Sequence, residues 1–126
     1  MPYLVDSDVL IDISRGNRAA RAYLNRLTEG WAISQVSALE LMVGARDKED
    51  LLAIETLLST IVTIPLRGSI GSGAYDLLKR YVKTNGLHLV DSLIAATALE
   101  EKLTLVTRNR RHFGMILGLR LDVPTY

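Results

Sequence analysis

Four of the 14 Asp and Glu residues stand apart by their surroundings. Asp6 and Asp8 directly follow the apolar run Tyr3-Leu4-Val5. Glu40 is flanked by Val36, Ala38, Leu39, Leu41, Met42 and Val43. Asp91 lies between Leu87-His88-Leu89-Val90 and Leu93-Ile94-Ala95-Ala96. A carboxylate in apolar surroundings carries a desolvation cost unless it is partnered. Several brought to one place repel each other unless a cation neutralises them. All-oxygen ligation of that kind suits Mg2+ or Mn2+ rather than Zn2+. Each acid also has a local reading as a cap. Ser37-Ala38-Leu39-Glu40 fits a capping box, Asp91 fits an N-cap, and Asp6 or Ser7 could cap a first helix. The remaining acids, such as Asp47, Glu49, Asp50, Glu55, Asp76, Glu100 and Glu101, fall on outer faces of helical patterns.

A second group is Thr107-Arg108-Asn109-Arg110-Arg111-His112. Thr107 and Asn109 offer neutral oxygens that can ligate a cation or orient a water. Arg108, Arg110 and Arg111, with His112, form a cationic patch suited to phosphate. A solvated basic turn is the alternative. Arg15, Arg18, Arg21 and Arg26 read as the solvated face of a helix. His88 has no acidic or hydroxyl neighbour at metal-ligand spacing and reads as structural. Gly68, Gly71 and Gly73 lack the Lys-Ser/Thr of a phosphate-binding loop.

The elements that must position these residues alternate. Short strands are expected at Tyr3-Leu4-Val5, Trp31-Ala32-Ile33, Ile61 to Ile64, Leu103 to Val106 and Leu119 to Val123. Between them lie helical patterns: Val9 to Ser14, Asn17 to about Thr28, one opened by Ser37, and one opened by Asp47. Two more follow, a helix carrying Ile70, Ala74, Leu77, Leu78 and Tyr81, and one from Asp91 to about Lys102. Strands separated by helices predict an α/β fold, a parallel sheet of about five strands with helices on both faces. Ligands in such sheets bind at the edge where strands end and the following helices begin. Asp6, Asp8, Asp91 and the 107–112 segment all fall at that edge, and Glu40 lies near it.

At 126 residues the chain is expected to be one domain, residues 1–126. Without cysteine there is no disulfide framework, thiolate zinc site or thiol chemistry. A net charge of +1 excludes a globally basic nucleic-acid coat. No apolar run approaches the roughly 20 residues of a membrane span. Asp6, Asp8 and Asp12 stand where a signal peptide would need cationic and apolar stretches, so a cytoplasmic location is expected.

Four segments together resemble the PIN-domain ribonucleases. Leu4-Val5-Asp6-Ser7-Asp8-Val9-Leu10-Ile11 is similar to their opening strand-turn-helix, and Ser34 to Glu40 to their second motif. Asp91-Ser92-Leu93-Ile94-Ala95-Ala96-Thr97-Ala98 resembles the third. Leu105-Val106-Thr107-Arg108-Asn109 through Phe113, followed by Gly118-Leu119, resembles the fourth. The resemblance covers nearly the whole chain in order, and its size is similar to that of VapC toxins of toxin–antitoxin pairs. It implies a PIN-like three-layer α/β/α sandwich. It also implies a metal-dependent endoribonuclease that is the toxin of a type II pair and hydrolyses phosphodiester bonds in single-stranded or looped RNA. On this resemblance Asp6, Glu40 and Asp91 are the acidic set for Mg2+ or Mn2+, with Thr107 and Asn109 supporting the site. A VapB-type antitoxin and a second copy of the chain are the implied partners, with no membrane. Many relatives carry a further Asp in the fourth motif, where this chain has Asn109 and His112. Asp8, where relatives often have Asn, offers a charge in exchange. Two rival readings remain at this point. One is a degenerate PIN module that binds RNA or protein without cutting. The other is a haloacid-dehalogenase-like phosphatase with Asp6 as nucleophile and Asp8 as general acid, although no acidic pair follows the fourth strand.

Overall fold

The computed structural model describes residues 2–126. Five strands form one sheet: β1 Tyr3–Val5, β2 Trp31–Ser34, β3 Thr63–Ile64, β4 Thr104–Val106 and β5 Leu121–Asp122. Seven helices connect and flank them: α1 Ser7–Ser14, α2 Arg18–Asn25, α3 Gln35–Val43, α4 Lys48–Leu58, α5 Gly68–Asn85, α6 Leu89–Glu101 and α7 Arg110–Phe113. Every strand pair is parallel, in the order β3-β2-β1-β4-β5. The expected three-layer α/β/α sandwich is what forms.

The layers follow from side-chain alternation along the central strands. Leu4 and Leu105 point to one face, where they meet Tyr81, Ile94, Ala95, Ala98 and Phe113 of α5, α6 and α7. Val5, Ile33 and Val106 point to the other, against Val9, Leu10, Ala20, Leu24, Leu41 and Ile54 of α1 to α4. β1 and β4 are flanked by strands on both sides and buried on both faces, so their residues read as continuous apolar runs.

Connectivity decides where a ligand can sit. From β1 the chain winds outward through β2 to β3, then returns across the sheet to β4 and winds the other way to β5. The crevice at the carboxyl ends of β1 and β4 is therefore the topological switch point, the usual binding position in open parallel sheets.

Three helix starts differ from expectation, each for a local reason. Helix α1 begins at Ser7, because Asp6 is its N-cap and accepts from the Ser7 amide at 2.7 Å. Helix α3 begins at Gln35, because Ser34 ends β2 and accepts from the Val36 amide. Ser37 and Glu40 are thus inside the helix, and the Ser37 capping box does not form. Helix α6 begins at Leu89 after His88, so Asp91 is its third residue and not its N-cap. The apolar pair Leu89-Val90 looks like extended chain in sequence but supplies the first helical turn. Asp91 still sits in that turn, where the helix dipole favours a negative charge. Helix α5 ends where Gly86 adopts the left-handed conformation, φ 68°, which a residue with a Cβ adopts at a cost.

Phe113 ties short helix α7 to the sheet and is 1% exposed. Phe113→Ala should lower the unfolding free energy by about 3–5 kcal/mol in a urea titration. A loss below about 1 kcal/mol would mean that this contact does not anchor α7.

Candidate functional site

The turns after β1 and β4 are stitched together. The Asp6 amide donates to the Val106 carbonyl at 2.9 Å, continuing the ladder one residue past β1. The Asp6 carboxylate is 5% exposed. Its Oδ1 accepts from the Ser7 amide and its Oδ2 from the Thr107 hydroxyl, each at 2.7 Å. Thr107 is fully buried, and its Oγ1 accepts in turn from the Asn109 amide at 3.0 Å. Asp8 makes a second stitch, because its Oδ2 accepts from the Arg108 amide at 3.0 Å. Helix α3 supplies Glu40, whose Oε1 accepts from Ser7 Oγ at 2.5 Å, while Ser7 Oγ lies 2.8 Å from Ser37 Oγ. One hydroxyl carries one proton, so a Ser7 that donates to Glu40 accepts from Ser37. Ser37 therefore holds Ser7 in place instead of capping its own helix.

Asp91 enters from the first turn of α6. Its Oδ2 lies 3.0 Å from His112 Nδ1, and that same Nδ1 lies 3.2 Å from Asn109 Nδ2. The His88 ring meets the His112 ring edge to face, centroids 5.5 Å apart. Asp6, Asp8, Glu40 and Asp91 line one open cleft of about 420 Å3, with Asn109, His88 and His112 on its far wall. The four acids separated in sequence meet at one place, and no Lys or Arg lines that cleft among the described residues.

The electrostatic consequence falls on Asp6. Burial pushes its carboxyl from 3.8 up to about 7, and the neighbouring charges of Asp8 and Asp91 add to the rise. The Thr107 hydroxyl and the Ser7 amide act in the opposite direction. Asp8 is raised as well, mainly by burial. A buried oxygen donor with half-buried ones beside it suits a hard divalent cation, which offsets the repulsion on Asp6 and needs the carboxylates ionised.

The basic residues divide. The Arg108 guanidinium turns away from the cleft, bonds Asp12 Oδ2 at 2.9 Å and lies 4.8 Å from the Tyr126 ring centroid. The Tyr126 hydroxyl donates to the same Asp12 oxygen at 2.8 Å. Arg110 and Arg111 are exposed on α7, and Arg111 borders a recess beside Asp91 and His112. Arg15, Arg18, Arg21 and Arg26 are exposed, as the helical pattern implied.

His88 is a correction. It is exposed, and its ring comes together with Asp91 and His112. Its three-residue spacing from Asp91 across a helix start was the available signal. Ser7 is a further positioning residue that the sequence did not single out. Only the fold brings it to Glu40, 33 positions away.

A parallel α/β sheet here carries a cluster of carboxylates at its switch point. A family model, PIN domain, matches residues 3–115. The chain belongs to the PIN domain family. It is 42% identical over 120 residues to Ribonuclease VapC10 of Mycobacterium tuberculosis, covering 93% of this chain and 90% of that protein. It is 36% identical over 121 residues to Ribonuclease VapC19 of the same organism, covering 93% and 96%. A toxin–antitoxin complex from Klebsiella pneumoniae contains a chain 32% identical, with TM-score 0.81 and 97% of each chain covered. VapBC2 of Rickettsia felis, bound to a promoter DNA fragment, matches in fold with TM-score 0.85 at 23% identity, covering 98% of each chain. Membership of this family removes the haloacid-dehalogenase reading. PIN-domain nucleases generally use a divalent metal.

The Asp6 shift has a measurable sign. A folded-state pKa raised above the unfolded value of about 3.9 favours folding below pH ~4. That contribution is lost as pH rises through about 7. In thermal melts with chelator, the native chain should lose more stability between pH 4 and 7 than Asp6→Asn does. Parallel pH profiles for the two would refute the assignment.

Proposed function

We propose that this chain is the ribonuclease toxin of a type II toxin–antitoxin pair, a one-domain, metal-dependent endoribonuclease working in the cytoplasm. The observation that carries the proposal is the meeting of Asp6, Asp8, Glu40 and Asp91 in one cleft that no Lys or Arg lines among the described residues. The relatives named VapC ribonucleases support it along nearly their whole length.

Asp6, Asp91 and Glu40 hold the ion, which is Mg2+, with Mn2+ the other fit to all-oxygen donors. When bound, the ion supplies a Lewis acid for the phosphodiester and acidifies water in the cleft. Thr107 sets the angle of the Asp6 carboxylate, and Ser7 sets that of Glu40. Asn109, whose backbone N–H donates to the Thr107 hydroxyl, faces the cleft and orients the attacking water. Asp8 adds the negative charge that a further acid after β4 would otherwise bring. Arg110 and Arg111 hold flanking phosphates from the rim. Arg108 joins them only if it exchanges Asp12 for RNA. Contacts of this type position the strand without reading its bases. Looped or single-stranded RNA is the substrate shape that reaches such a cleft.

A VapB-type antitoxin and a second copy of the chain are the partners. Leu39 and Val43 on α3 and Leu51 and Leu52 on α4 stay exposed, at 52%, 88%, 38% and 63%. Large apolar side chains grouped on neighbouring helices mark a surface that another protein covers. No helix among the described residues is long and apolar enough to cross a membrane.

With Mg2+ and a total RNA substrate, Asp6→Asn and Asp91→Asn should each cut at least ~10²-fold more slowly than the native chain, the scale of losing one positioned charge. Their circular dichroism should remain native. Induced in a bacterial host, the native chain should arrest growth and Asp91→Asn should not. Undiminished, metal-dependent cleavage by both variants would refute the proposal, and equal growth would leave a module that binds RNA or protein without cutting.

A further inference from the structure

The far wall of the cleft has a donor set that differs from the acidic one. His88, Asp91 and His112 present two imidazoles and one carboxylate, with ligand atoms all within 4.8 Å of one another. His88 precedes α6, Asp91 is in its first turn, and His112 comes from α7. Three donors from two separate segments converge, which local helix capping does not require.

The pairing of His112 points the same way. Asn109 Nδ2 lies 3.2 Å from His112 Nδ1, and whether that nitrogen carries a proton depends on the tautomer of the ring. That nitrogen also faces Asp91 Oδ2 at 3.0 Å. In the tautomer without that proton, the Nδ1 lone pair and the carboxylate oxygen repel at this distance, and a cation that takes the place of the Asn109 contact is ligated by both. The competing state is a plain ion pair, with a proton on Nδ1 and no metal.

We propose that His88, Asp91 and His112 form a second metal site that takes a borderline divalent ion of the Zn2+, Co2+ or Ni2+ type. Imidazole nitrogens favour such ions over Mg2+, and two imidazoles with one carboxylate leave a fourth position open to the cleft. In a tetrahedral site with bonds of about 2.0–2.1 Å, ligand atoms stand about 3.3–3.4 Å apart. The His112–Asp91 pair is already near that spacing. His88 is exposed and can rotate to close the remainder. Asp91 is common to both sites, while Asp6, Asp8 and Glu40 belong only to the acidic one. The inference shares Asp91 with the nuclease reading but does not rest on it.

Co2+ is the probe, because its visible absorption reports ligation directly and needs no RNA. The intact chain, stripped of metal with chelator, is titrated with CoCl2 and then back-titrated with ZnCl2. The native chain should develop visible bands that Zn2+ abolishes. His88→Ala and His112→Gln should each weaken Co2+ binding by at least about tenfold, the lower end of what even an outer partner of a metal ligand costs. Asp6→Asn should keep the intense bands of tetrahedral Co2+, because Co2+ held by the oxygen donors of the acidic site is octahedral and absorbs only weakly. Metal-free melting curves of the His88→Ala variant should match the native chain, because His88 lies at the surface. Co2+ binding that is undiminished in both histidine variants overturns the proposal. So does the absence of any bands, or an equal loss in Asp6→Asn. If Mg2+-dependent RNA cleavage fails while the histidine-dependent Co2+ bands stand, the nuclease reading falls and the second site remains. The reverse result removes the second site alone.

Discussion

The crowding of a buried carboxylate, Asp6, by half-buried ones is the constraint around which this molecule is organised. Asp6, Asp8, Glu40 and Asp91 meet at the end of the sheet, and burial has already driven Asp6 up to about 7. A fold that crowds like charges loses stability unless it supplies compensating dipoles. Here those come from the backbone and from hydroxyls: the amides of Ser7, Val9 and Arg108, and the side chains of Thr107 and Ser7. Each such bond orients an acid while leaving it short of a full countercharge. The site is anionic, with its carboxylates held by dipoles and not by a Lys or Arg among the described residues.

The protein's own cations are kept from relieving that repulsion. Arg108 follows Thr107 directly, and its amide bonds Asp8, yet its guanidinium is taken by Asp12 and the Tyr126 ring. Asp12 and Tyr126 together thus hold the Arg108 guanidinium outside the cleft. Tyr23 extends this arrangement, packing near Tyr126 and bonding Asp122 at the end of β5. The last residues of the chain therefore bear on the charge balance of the first turn, 100 positions or more away in sequence.

Sheet connectivity explains why these bonds form here. β1 and β4 are adjacent, although nearly the whole chain separates them, and their pairing brings Asp6 to Thr107 and Asp8 to Arg108. The same pairing fixes the α1 start that aims Ser7 at Glu40. A shift of one residue in that register would turn Asp6 toward a helix layer, because successive strand residues face opposite sides of a sheet.

The alternation of β-branched runs with 3.6-residue patterns was sufficient to determine a parallel α/β sheet, and isolated acids in apolar context were sufficient to mark its functional edge. Period and burial cost are local properties, but each acid alone also reads as a cap, so only the joint pattern of Asp6, Glu40 and Asp91 pointed to one cleft, and the structure brings them into its lining. Helix starts were less legible. Ser34 and Ser37 are both competent caps, and strand β2 ending at Ser34 decided between them. The direction of the Arg108 side chain, the Ser37–Ser7–Glu40 chain and the approach of His88 to His112 were decided only by tertiary structure. Each depends on the distance between segments that the sequence separates by at least 24 positions, and a hydrogen bond or ligand contact is lost within an ångström or two of misplacement.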